Sequence, residues 1–141
     1  MSLDRPSRSG ATRKPGVALL TASGLLLALT MPACAQTGSA ANGQVIFESR
    51  CVACHSLDAN RVGPALGTVF GRVAGKAPGF DYSTALASAS HVWRYEKLLA
   101  WLENPEFVVP GQSMGYRVEL PRDRLDVVAY LASLSVKEVA R

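Results

Sequence analysis

Residues 49–57 read "SRCVACHSL", with Cys51 and Cys54 two residues apart and His55 immediately after. The C-x-x-C-H pattern points to covalent attachment of a c-type haem. Two thiols at that spacing can add to the two vinyl groups, while the adjacent imidazole coordinates the iron. A six-coordinate iron then needs a ligand on its opposite face, and the rest of the chain can be searched for it.

C-x-x-C by itself also suits a zinc half-site or a redox dithiol. Structural zinc normally takes four Cys or His ligands. Outside the N-terminal segment the chain offers Cys51, Cys54, His55 and His91, of which two are sequence neighbours. A thioredoxin-like dithiol needs a strand-helix scaffold around the motif, and no strand pattern is visible there.

The N-terminus reads as an export signal. "MSLDRPSRSGATRKPG" sets Arg5, Arg8, Arg13 and Lys14 against Asp4, and residues 17–31 form an uncharged apolar run. That run is shorter than the roughly 20 residues a spanning helix needs. "ACA" at residues 33–35 then supplies small residues for cleavage, so residues 1–35 read as a signal peptide and 36–141 as one monohaem domain. A retained membrane tether and a lipidated Cys34 are the competing readings. Removing the leader leaves eleven basic and ten acidic residues, so the +4 of the full chain falls to +1. The basicity is mostly targeting, and nucleic-acid binding loses its support.

Within 36–141, "TGSAANGQVIFESRC" predicts a helix capped by Ser39 or Asn42 and ending near Cys51. Residues 56–82 carry seven glycines or prolines and no regular period, as expected of a segment that wraps a cofactor. Helical periodicity returns in "WRYEKLLAWLENP", with Trp93, Leu98, Leu99, Trp101 and Leu102 on an apolar face and Pro105 as the stop. It returns again after Pro121, where Leu125, Val127, Val128, Leu131 and Leu134 recur near helical spacing. The expected class is all-α: three main helices with long loops around one haem.

Two residues can supply the opposite ligand, Met114 in "VVPGQSMGY" and His91 in "SASHVWRY". Pro110 and Gly111 shape a turn able to direct Met114 inward, which favours it. Core filling by Met114 and a surface or propionate-side place for His91 are the plainer alternatives. Methionine opposite histidine raises the reduction potential, which suits electron transfer.

Taken together, "CVACH", "VGPALGTVFGR", "APGFDYS", Trp93, "LENP", "PGQSM" and "AYL" resemble the class I c-type cytochromes, within them the mitochondrial cytochrome c and bacterial cytochrome c-two type. The resemblance runs from about Gly43 to Leu131. It implies that the Pro64 carbonyl accepts from the His55 ring, and that Arg72, Tyr82 and Trp93 hold the haem propionates. It also implies that Gly43 and Phe47 meet Val127, Tyr130 and Leu131 where the first and last helices cross. Trp101 stands where the family usually has a tyrosine near the axial sulfur, and Gln112 stands where a threonine contacting a propionate is common. The loop at residues 56–62 is shorter than usual. Glu106, Phe107 and Ser113 occupy places where mitochondrial relatives carry docking lysines, leaving Arg50 and Arg61 as basic residues near the haem edge.

The expected function is that of a periplasmic one-electron carrier and not an enzyme, since no residue is placed for bond chemistry on a substrate. His55 and Met114 are the expected iron ligands. Cys51, Cys54, Pro64, Arg72, Tyr82, Trp93, Trp101 and Gln112 complete the expected haem site. The resemblance implies a monomer exchanging electrons with a cytochrome bc type donor and a terminal oxidase, a reaction centre, or a periplasmic dehydrogenase or peroxidase. An open-iron peroxidase or gas sensor, with Met114 structural, is the alternative from another class.

Overall fold

The computed structural model describes Met1 and residues 37–139. The chain divides after Ala33, and the fold concerns the second unit, Cys34–Arg141. The expected signal peptide at residues 1–35, its cleavage site and Cys34 lie outside the described residues.

Among the described residues five helices follow in chain order: α1 Ala40–Arg50, α2 Thr84–Ala87, α3 Tyr95–Glu103, α4 Pro105–Val108 and α5 Pro121–Val139. α2 and α4 are single turns, so the three long helices carry the architecture and the all-α expectation holds. Among the described residues none of the helices is long and apolar enough to cross a membrane.

Of the two candidate caps for α1, the structure uses Ser39, whose hydroxyl accepts from the Asn42 amide at 3.3 Å. Cys51 is the C-cap, its N–H donating to the Phe47 carbonyl. α1 crosses α5 closely because Gly43 has no side chain. A Cβ there would lie 1.9 Å from the Asp126 carbonyl oxygen and 2.8 Å from Tyr130 Cβ. Phe47 packs on Tyr130 with ring centroids 5.6 Å apart, and Val127, Val128 and Leu131 fill the seam.

Buried Asp126 secures the same crossing. Its Oδ1 accepts from the Ser39 amide at 2.7 Å and pairs with Arg122 at 3.2 Å. Hence a buried carboxylate is satisfied on both sides, as its desolvation demands. Arg50 and Asp123 add a second link at 2.8 Å between the end of α1 and the start of α5.

α3 buries Leu98, Trp101 and Leu102, three residues on one helical face, and packs against α5. Trp93 differs from expectation: it precedes the helix. Residues 71–74 and 91–93 pair as a short antiparallel bridge centred on Val73 and Val92, with Trp93 N–H donating to the Arg72 carbonyl at 2.9 Å. Arg94 is extended and caps α3, so the apolar pattern runs through a helix start. At the other end Asn104 is extended before Pro105, as a residue preceding proline prefers. Pro105 then opens α4 as its first residue, and the proline is both a stop and a start.

Candidate metal centre

The end of α1 positions the motif. Beyond the cap the chain turns tightly, with Cys54 and His55 amides both donating to the Cys51 carbonyl at 3.1 and 2.9 Å. Cys51 is half-buried, Cys54 is exposed, and neither is in a disulfide. Burial pushes the Cys51 thiol up, opposed by the charge of Arg50 and reinforced by Cys54.

His55 is held by its ring. Nδ1 lies 2.8 Å from the Pro64 carbonyl oxygen. A carbonyl can only accept, so Nδ1 carries the proton and Nε2 keeps its lone pair. That tautomer is the one a metal-bound histidine needs, and the carbonyl raises the basicity of the ligand nitrogen. Gly63 lets the ring sit there, because a Cβ on it would fall 2.2 Å from His55 Cε1. The loop is pinned beneath by Gly63 N–H donating to the Cys54 carbonyl at 2.8 Å.

Met114 reaches the core from the loop after α4. Its sulfur accepts from the Trp101 indole N–H at 3.0 Å. Trp101 stands edge-on to Trp93, centroids 5.1 Å apart, and Trp93 stands edge-on to His91 at 4.5 Å. His91 therefore belongs to the far end of an aromatic row, two rings removed from Met114's sulfur. Burial and nearby Lys97 both pull its imidazole below the usual range.

The other expected residues divide. Arg72 donates to the Ala65 carbonyl at 3.0 Å and to Thr68 Oγ1 at 3.2 Å, but its buried Nε has no partner. Burial lowers the Arg72 pKa, with Tyr82 opposing. The Tyr82 hydroxyl accepts from the Ala77 amide at 3.2 Å, and Trp93 is buried. Gln112 is turned away from that group: its Oε1 accepts from the Met114 amide and its Nε2 faces Glu106. Both contacts lie within its own loop, where the side chain reaches the amide two residues on.

These residues fit a haem. Two unpaired thiols, an imidazole with Nε2 available and a fixed thioether are the donors the iron and its vinyl groups require. A half-buried guanidinium whose buried Nε–H is unpartnered calls for an acceptor, which a propionate carboxylate would supply. Arg72, Tyr82 and Trp93 would hold the propionates, and His55 and Met114 the iron. The zinc alternative lacks a cluster: among the described residues no three His, Cys, Asp or Glu converge.

Arg50, expected as a basic residue near the haem edge, pairs with Asp123 at 2.8 Å. Arg61 is tied by its guanidinium to the Val52 carbonyl at 2.7 Å. Phe107 at 86% and Tyr116 at 42% are exposed apolar rings near the Met114 loop. Asp126 and the loop contact of Glu106 escaped the sequence reading. An i to i+5 carboxylate-to-loop contact and a helix-to-terminus contact across 87 residues leave no periodic trace.

Comparison with known proteins agrees with this geometry. A family model described as Cytochrome c matches residues 40–135. Cytochrome c of Euglena viridis is 44% identical over 100 residues, covering 69% of this chain and 98% of its own length. Cytochrome c2 of Rhodopila globiformis is 38% identical over 103 residues, covering 71% and 97%. The solved structure of cytochrome cH from Methylobacterium extorquens superposes with a TM-score of 0.64 at 38% identity, covering 68% of this chain and 99% of that one.

Proposed function

The chain belongs to the cytochrome c family and takes one covalent haem c through its paired cysteines, and on that premise we propose that it is a periplasmic one-electron shuttle with His55 and Met114 as iron ligands. The haem supplies an iron that exchanges single electrons. The chain's part is to hold that iron dry and alike in both oxidation states.

The observation that carries the reading is the fixed thioether: Met114's sulfur is held at 3.0 Å by the Trp101 N–H. A sulfur has a second lone pair free for a metal, and its orientation is set by a buried side chain on a helix. His55, fixed by Pro64, supplies the matching nitrogen. Cys51 and Cys54 would carry the thioether bonds. Electron carriage is the family's work; the periplasm and the partner complexes are the finer part of the proposal, supported by the charged, then apolar, N-terminal sequence.

Gly111, Ser113, Tyr116 and Phe107 are exposed around the Met114 loop and form a weakly charged, partly apolar face. Docking there would be transient and small in area. With Arg50 paired to Asp123, electrostatic steering is weak, so turnover with a membrane redox complex should fall only mildly with salt.

The test is optical. The exported holoprotein is examined oxidised, then reduced under carbon monoxide, beside Met114→Ala. A ferric far-red sulfur-to-iron band that Met114→Ala abolishes, with no carbon monoxide shift in the parent protein, supports the shuttle. No band and ready carbon monoxide binding place an open-iron enzyme or sensor first. A soluble mature chain beginning at Gln36 supports the periplasmic assignment, and retention in the membrane overturns it.

A further inference from the structure

The geometry points to Glu106 and Gln112 as a two-residue brace that positions Met114, an inference that rests on Met114 as an iron ligand. Glu106 sits in the first turn of α4, before the loop that carries the methionine. Its carboxylate reaches across that loop. Oε1 accepts from the Gly111 amide at 2.9 Å, and Oε2 accepts from Gln112 Nε2 at 3.4 Å. Gln112 passes the restraint on, its Oε1 accepting from the Met114 backbone N–H.

The polarity of this relay admits one arrangement. A carboxylate only accepts and a backbone amide only donates, so the carboxamide must point its NH2 at Glu106 and its oxygen at Met114. A reversed carboxamide would set acceptor against acceptor at one end and donor against donor at the other. Gly111, at φ +83°, lies between them in a conformation few other residues adopt, so the loop bends where the carboxylate holds it. A further backbone tie of the loop runs from Gln112 N–H to the Val109 carbonyl at 3.2 Å.

Two independent restraints thus act on one methionine. Trp101 fixes the sulfur from the core side, and Glu106 through Gln112 fixes the backbone from the solvent side. Without the brace the sulfur would still find its indole partner, but the loop could lift away more often and yield the iron to a competitor. Neither Glu106 nor Gln112 touches the metal; both are positioning residues.

The experiment uses ferric holoprotein and added imidazole, which competes with Met114 for the iron. Imidazole affinity is titrated by absorbance for the parent, Glu106→Ala, Glu106→Gln, Gln112→Ala and the double alanine variant. Met114→Ala and Glu119→Gln serve as ligand and surface-charge controls, and guanidinium midpoints are measured in parallel. Glu106→Ala and Gln112→Ala should each bind imidazole roughly fivefold more tightly, as expected for one charge-assisted hydrogen bond. The double variant should be no tighter than the stronger single, Glu106→Gln should fall between, and the global midpoints should stay near the parent's.

Affinities within twofold of the parent in both alanine variants overturn the brace. So does a tightening that merely follows a lowered midpoint. If Met114→Ala leaves the ferric spectrum unchanged, the ligand assignment itself fails and the brace fails with it. If Met114→Ala abolishes the sulfur band while the brace variants behave as parent, the brace alone is wrong.

Discussion

Adding a methyl group at Gly43 attacks the contact that joins α1 to α5. The Cβ of Gly43→Ala would stand 1.9 Å from the Asp126 carbonyl oxygen and 2.5 Å from its carbon, both backbone atoms that no rotamer change can move. Ordinary contact begins near 3.4 Å, so α1 and α5 must part by about 1.5 Å locally. A gap of 0.5–1 Å already forfeits a quarter to a half of each dispersion contact. Phe47, Val127, Tyr130 and Leu131, all at least nine-tenths buried, share that seam. Overpacking of this kind costs roughly 3–4 kcal/mol, at the upper end for a core insertion. Alanine returns about 1 kcal/mol of helix propensity. The net expectation is a loss of about 2–3 kcal/mol. Guanidinium unfolding of the holoprotein followed by far-ultraviolet circular dichroism measures it. Gly115→Ala is the control, because a Cβ there meets nothing within 4 Å, and should change stability by less than about 0.5 kcal/mol. A Gly43→Ala midpoint equal to or above the parent's would show that propensity wins, and the account of the crossing would be refuted.

Trp101→Phe removes the N–H that draws electron density from Met114's sulfur, so the ferric form should gain relative to the ferrous. A net hydrogen bond of about 0.5–1.5 kcal/mol corresponds to a fall of roughly 20–60 mV in midpoint potential, measured by redox titration; a rise would contradict it. Asp126→Ala leaves the Ser39 amide without its acceptor and Arg122 without its partner, and should cost about 2–3 kcal/mol in a denaturant titration. Asp126→Asn, which keeps an acceptor oxygen, should cost less than half as much, and equal losses would reject the amide contact as the main one. His91 is held below its unfolded pKa of about 6.5 by burial and then by Lys97, so the unfolded chain binds protons more readily. Stability is therefore full above that pH and declines as pH falls through the folded pKa. His91→Gln should flatten that decline in urea midpoints between pH 7.5 and 5, and an unchanged slope would exclude His91 as its source.

Much of this protein was legible in order along the chain. C-x-x-C-H is a local pattern whose chemistry depends on spacing alone, so Cys51, Cys54 and His55 could be read without a fold. The helix α1 announced itself by its cap, and α3 and α5 by apolar period and by Pro121, because helix formation is governed by near neighbours. Trp93 marks the limit of that reasoning. Its apolar period continues into α3, yet its backbone pairs with Arg72, 21 residues earlier, and that bridge outweighs a run of pattern. Arg50 shows the same limit for charge, since its partner Asp123 lies 73 residues on and no local pattern pairs them. Gln112 and Glu106 show it for function. Composition could not say that one glutamine would serve a backbone amide and a carboxylate at once, because hydrogen-bond partners are chosen by where the loop brings them. The sequence by itself determined the cofactor chemistry and the helical class, both set by residues close in the chain. Only the tertiary structure decided how the methionine is held, because that depends on Trp101 and Glu106 meeting one loop from two sides, and distance in space is not written as distance in sequence.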